Sequence, residues 1–153
     1  MTILLPSAIA QRLVTALRDA REREIGGVLL GEHVAEAVFR IVDLTIQKRG
    51  GTFATFVRRL DNALQAIRLF FQRTKHDYRR FNYLGEWHSH PSFAPVPSGK
   101  DQRSMIDIVR DPDVGALFVV LMIAKLCDSQ LVATATVYTP TATSSAQLVH
   151  EDM

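Results

Sequence analysis

His88-Ser89-His90-Pro91, followed by Ser98-Gly99-Lys100-Asp101, is the stretch that decides how this chain is read. His88 and His90 stand two residues apart, so on a strand both imidazoles point to one face. Pro91 ends that strand because it brings no backbone N–H. The run from Ser92 to Ser98, with Pro95 and Pro97, has the residues to turn the chain back. Asp101 can then meet the two histidines as a third ligand. Two histidines and one carboxylate leave the fourth position of a tetrahedral zinc site for water, as catalytic rather than structural sites do. A His-x-His pair alone is common in ordinary strands. Ser98-x-x-Asp101 also reads as a helix N-cap with an acid at the third helical position. The two readings are compatible, since a capped helix start would hold Asp101 rigidly beside strand histidines.

Upstream lies Glu24-Ile25-Gly26-Gly27-Val28-Leu29-Leu30-Gly31. Together with Gly85-Glu86-Trp87-His88-Ser89-His90-Pro91 and Ser98-x-x-Asp101, it resembles the signature of the JAMM (MPN+) zinc isopeptidases, in the family's order and without departure at the motif positions. The wording is closest to prokaryotic JAB-type stand-alone members. The resemblance runs from Glu24 to about Leu126. It implies an α/β (α+β) domain of the cytidine-deaminase-like JAMM/MPN fold, a curved mixed β-sheet sandwiched between helices. It also implies one Zn2+ per chain held by His88, His90 and Asp101, with Glu24 moving the proton and Ser98 stabilising the oxyanion. The implied substrate is a ubiquitin-like protein joined through its C-terminal tail to another group, gripped as an added strand near the metal. Activating-like and conjugating-like enzymes of an anti-phage operon are the implied partners. Processing of a sulfur-carrier protein and hydrolysis of a small-molecule amide stay open, as does a metal-free scaffold. The intact motif argues against the scaffold.

Composition sets the frame. The chain has 153 residues, 47% hydrophobic and 22% charged, with a net charge of +2. These values fit one globular domain over residues 1–153 and give no ground for a nucleic-acid role. Arg58, Arg59, Arg68, Arg73, Arg79 and Arg80 would fall on several helix faces rather than one. The lone Cys127 excludes an intrachain disulfide and fits a reducing cytoplasm. It is read as structural. The start lacks the basic region of a signal peptide, and the apolar run Val114 to Ala124 is too short to span a bilayer.

The remaining elements follow from periodicity. Ser7 reads as the cap of a first helix with Ile9, Leu13 and Leu17 on one face. Strands are predicted over Ile25–Gly31 and Ala37–Gln47, with a loop at Gly50-Gly51. Val57, Leu60, Leu64, Ile67 and Phe71 predict a helix to Thr74, and Arg73 to Arg80 a solvated basic loop. Tyr83–His90 is the metal-bearing strand. A helix over Ser98–Arg110, apolar at Met105, Ile106 and Val109, precedes a hairpin of Gly115–Leu126 with Leu131–Tyr138. The polar tail, residues 140–153, is expected to fray unless Leu148 and Val149 dock. Glu86 shares parity with the histidines and is weighed as a carboxylate orienting an imidazole or as a competing base. Trp87 has core parity, Ser89 reads as a local hydrogen-bonder, and His33, His76 and His150 as surface residues.

Overall fold

A computed structural model describes residues 1–47 and 56–152, with side chains from 63 onward in the second segment. Gly50-Gly51 and the side chains of Val57, Arg58, Arg59 and Leu60 therefore lie outside the described residues. Seven strands and three helices follow one another as β1 (Thr2–Pro6), α1 (Ser7–Ala20), β2 (Gly26–Ala35), β3 (Val38–Leu44), α2 (Phe56–Arg73), β4 (Phe81–Ser89), α3 (Gly99–Arg110), β5 (Val119–Cys127), β6 (Gln130–Tyr138) and β7 (Thr143–Glu151).

The mixed α/β class holds, but the sheet closes. Its strand order is β1-β3-β2-β4-β5-β6-β7 in a closed barrel, where a curved mixed sheet sandwiched between helices was expected. The closing strand is β1, parallel to both β3 and β7. Its burial alternates, with Ile3 and Leu5 inside. The expected frayed tail is the other half of that seam. Leu148 and Val149 pair with Ile3 and Leu4, and Ala146 packs on the core. A polar tail can still be a strand because the ladder satisfies its backbone whatever its side chains are.

Three apolar clusters hold the helices in place. Ile9, Leu13 and Leu17 of α1 join Leu29, Trp87, Val120 and Met122. The helix is capped at Pro6 without a side-chain bond, so Ser7 is its first residue rather than its cap. On α2 the buried positions are Ala63, Ile67 and Phe70, packed on Val28 and Leu30. Leu64 is exposed instead. Among the described side chains of α2, Ile67 is buried as predicted and Phe71 packs partly on the cluster, while Phe70 takes a buried place that the predicted stripe did not include. On α3, Met105, Ile108 and Val109 are buried against Val119, Leu121 and Tyr138, with Ile106 at the margin.

Several boundaries move for identifiable reasons. β5 starts at Val119, not Gly115: Gly115 has φ 66 and Leu117 is 86% exposed, so the segment before Val119 is loop. Cys127 is exposed at the end of β5, paired with Gln130. The basic run near 73–80 is partly tied down, as Arg73 pairs with Asp43 at 3.0 Å and Arg80 with Glu32 at 2.8 Å. Among the described residues, no helix is long and apolar enough to cross a membrane.

Gly85 sets the phase of β4. Leu29 faces Gly85 while Leu30 faces Tyr83, so β4 carries one extra residue. A Cβ on Gly85, at φ 154, would lie 1.9 Å from the Val120 carbonyl oxygen. This bulge puts Trp87 into the α1 core and leaves Glu86 and His88 facing the other way.

Candidate metal centre

The register of β4 on β2 builds the first half of the site. Gly26 lies opposite His88. The ladder continues one residue further, where Ser89 N–H donates to Ile25 O at 2.9 Å and Ile25 N–H donates to Ser89 Oγ at 3.0 Å. Ser89 is therefore a long-range tie rather than a local hydrogen-bonder. Glu24 lies just before these ties, outside β2, and is half-buried. Directly opposed residues of an antiparallel pair point to the same face. His88 and Glu86, two residues apart on β4, share one face. Glu86, opposite Val28, is fully buried on that face.

The second half comes from α3. Ser98 is its N-cap: its hydroxyl accepts from Asp101 N–H at 3.1 Å, and Asp101 Oδ2 accepts from Ser98 N–H at 2.7 Å. This capping box fixes the Asp101 carboxylate at the head of the helix. Its oxygens lie 3.2 Å from His88 Nε2 and 3.3 Å from His90 Nε2. One ligand atom from each of the three residues falls within 4.8 Å of the others. Burial alone would raise the Asp101 pKa. The His88 ring beside it and the Ser98 N–H outweigh that and hold the carboxyl well below the usual range.

The connection between the halves is pinned at three points. His90 Nδ1 meets Ala94 O at 3.0 Å, Lys125 Nζ donates to Phe93 O at 3.1 Å, and the Thr134 hydroxyl donates to Pro95 O. With the His90 Nδ1 proton on Ala94 O, its Nε2 presents a lone pair to the cluster. That lone pair, facing a carboxylate oxygen at 3.3 Å, repels it unless a cation lies between them. Imidazole and carboxylate donors suit a divalent metal such as zinc. The residues present therefore fit a metal ion, and the His88-His90-Asp101 group could hold one.

Two imidazoles and a carboxylate at the end of a barrel strand, capped by a helix, define a candidate metal centre in an α/β domain. Residues 6–138 match the family described as prokaryotic homologs of the JAB domain. The chain belongs to that family. A relative from Enterobacter hormaechei subsp. hoffmannii (strain UCI 50), named CD-NTase/cGAS isopeptidase, is 33% identical over 130 residues, which cover 80% of this chain and 66% of the relative. The match thus spans just under two-thirds of that relative's length. A solution structure of a protein from Desulfitobacterium hafniense superposes with a TM-score of 0.69 at 16% identity, covering 99% of this chain and 94% of the other. One from Salinibacter ruber gives 0.54 at 19% identity, covering 97% and 91%. These two share the fold.

Sequence reasoning named the residues that converge but missed what holds them. The Ala94 carbonyl, Lys125 and Thr134 carry no local signal, because backbone acceptors and distant partners do not show in spacing. The role of Ser89 was accessible in principle, since its parity faces β2 once the register is known.

Proposed function

We propose that this chain is a zinc metallopeptidase that cleaves the bond after the C-terminal residue of a ubiquitin-like modifier, releasing it from a conjugate or a precursor. His88, His90 and Asp101 would hold the zinc. When bound, zinc supplies a Lewis acid that acidifies water and polarises a carbonyl. The observation that carries the reading is the convergence of His88, His90 and Asp101, with ligand atoms within 4.8 Å of one another. Glu24, half-buried just before β2, would take a proton from water and pass it to the leaving nitrogen. Glu86 is fully buried and has no such access to water. Ser98 Oγ already accepts one bond from Asp101 N–H, which leaves its own O–H to donate to a developing oxyanion. Phe93 and Val96, 64% and 54% exposed on the pinned loop, offer apolar contact for an extended tail.

The name of the Enterobacter relative points to the setting: a conjugate in which a CD-NTase or cGAS-type protein carries the modifier, in a bacterial anti-phage conjugation system with activating-like and conjugating-like enzymes. The reducing cytoplasm that a lone unpaired Cys127 fits would be its location. The test is cleavage of ubiquitin-like fusions encoded beside the gene, with and without a zinc chelator, and with Glu24→Gln. Cutting just after the modifier that chelator and substitution both abolish is the expected result. Zinc-replete protein that cuts no fusion but hydrolyses short amides would move the function to small-molecule substrates.

A further inference from the structure

A second surface feature takes no part in this chemistry. It is a depression of about 260 Å³ where the end of α1 meets the ends of β4 and β5. Leu17, Pro91 and Leu126 form apolar walls, and Arg18, Arg21 and Lys125 supply three cations. No acidic residue lines it, and none of the three cations makes an ion pair among the described residues. Like charges gathered in one concavity raise its potential and favour an anionic guest.

The backbone of Arg21 is an independent sign. It lies at φ 56 and ψ −112, and Arg23 N–H closes back on Ala20 O at 3.0 Å. That is the first central position of a type II′ turn, where glycine is strongly preferred. A side chain held there costs on the order of 1–3 kcal/mol. Glycine would end the helix with less strain but would remove a guanidinium from the depression.

We infer that this depression docks an acidic peptide segment. Carboxylates would pair with Arg18, Arg21 and Lys125, and neighbouring aliphatic side chains would cover Leu17, Pro91 and Leu126. A bare phosphate would use the charges and leave the apolar walls in water. Ser89 and Pro91 line the depression and are the chain neighbours of His90, so a protein whose segment docks there lies beside the end of β4 that carries the metal cluster. That this protein is the substrate rests on the isopeptidase reading; the binding itself does not.

The test is an NMR titration of the zinc-loaded protein with the acetylated and amidated peptide Glu-Leu-Glu-Leu-Glu, against its Gln-Leu-Gln-Leu-Gln counterpart. The acidic peptide should shift the amides of Ser89, Lys125 and Leu126 saturably and bind at least tenfold more tightly than the neutral one. Arg18→Glu with Arg21→Glu, both at exposed positions, should weaken it at least tenfold with zinc content unchanged. Arg21→Gly should weaken it several-fold while raising the Tm, an opposition that a merely structural arginine would not produce. Equal binding of both peptides, or binding indifferent to these substitutions, would overturn the inference. So would displacement by inorganic phosphate at the peptide's own concentration, which would mark a small-anion site. Loss of docking with fusion cleavage intact would count against this site alone. Docking without cleavage would count against the isopeptidase reading alone.

Discussion

Around His88 the polar groups lie inside: Glu86, His88, Ser89 and His90 are all buried. Along the seam of β1, β3 and β7 the charges stay near water and answer one another. Arg40 grips Glu151 through two bonds of 2.9 Å and reaches Glu32 at 3.3 Å, and Glu32 also takes Arg80. Buried polar groups cost stability unless each finds a partner, whereas partly exposed ion pairs cost little and contribute little. The seam can be explained by closure of the barrel. The buried group at the end of β4 cannot be explained that way, and its cost is better understood as a requirement of chemistry.

The contrast makes ordered predictions. Asp101→Asn at the buried end should abolish zinc binding and hydrolysis together, measured by metal analysis and fusion cleavage, while Glu24→Gln keeps the zinc and loses turnover by about 10²–10⁴. A Glu24→Gln protein of full activity would assign the proton to another group. At the seam, removing residues 143–153 would leave β1 and β6 unpaired on that side, and cooperative thermal unfolding by circular dichroism should disappear. A sharp melt in that truncation would show that closure is dispensable.

Smaller effects sharpen the picture. Ser98→Ala should slow hydrolysis by about 10²–10³ if the hydroxyl serves the oxyanion, and should cost about 1 kcal/mol of stability through the lost cap. Ser98→Asp separates the two roles, because it restores the cap and not the donor. Tyr138 is fully buried, and burial first, then the Asp101 charge, push its phenol up to about 12. The unfolded phenol ionises near 10. Its contribution is therefore whole below pH 10 and is lost as pH rises through 12. Against Tyr138→Phe, the wild type should lose about 2–3 kcal/mol more across that window, read from urea melts. Least of all, Glu151→Gln should cost about 1 kcal/mol or less at neutral pH. The difference should vanish in acid, because the Arg40 guanidinium holds the Glu151 carboxyl below its usual range and protonation then cancels the pair.

The sequence made some of this legible and hid the rest for physical reasons. The helices α1 and α3 and the β5–β6 hairpin showed in periodicity, and Ser98 with Asp101 announced a capping box that the structure contains. Closure did not show. β1 is five residues long and β7 has a polar face, so neither has the apolar alternation that marks a strand. In the Glu24 segment Gly27 is a site of close backbone approach: a Cβ there would lie 2.1 Å from the Thr45 carbonyl oxygen. What no spacing could give was the bulge at Gly85, on which the facing of Glu86 and His88 depends.

Asp101 holds two posts at once, as the acid of the α3 capping box and as a candidate ligand. Helix and site therefore share a single free energy. Any ion that prefers the assembled carboxylate over the unfolded one raises the melting temperature in proportion to the logarithm of its concentration. A plain heating curve run against a series of divalent salts would then rank their affinities, with no substrate in hand.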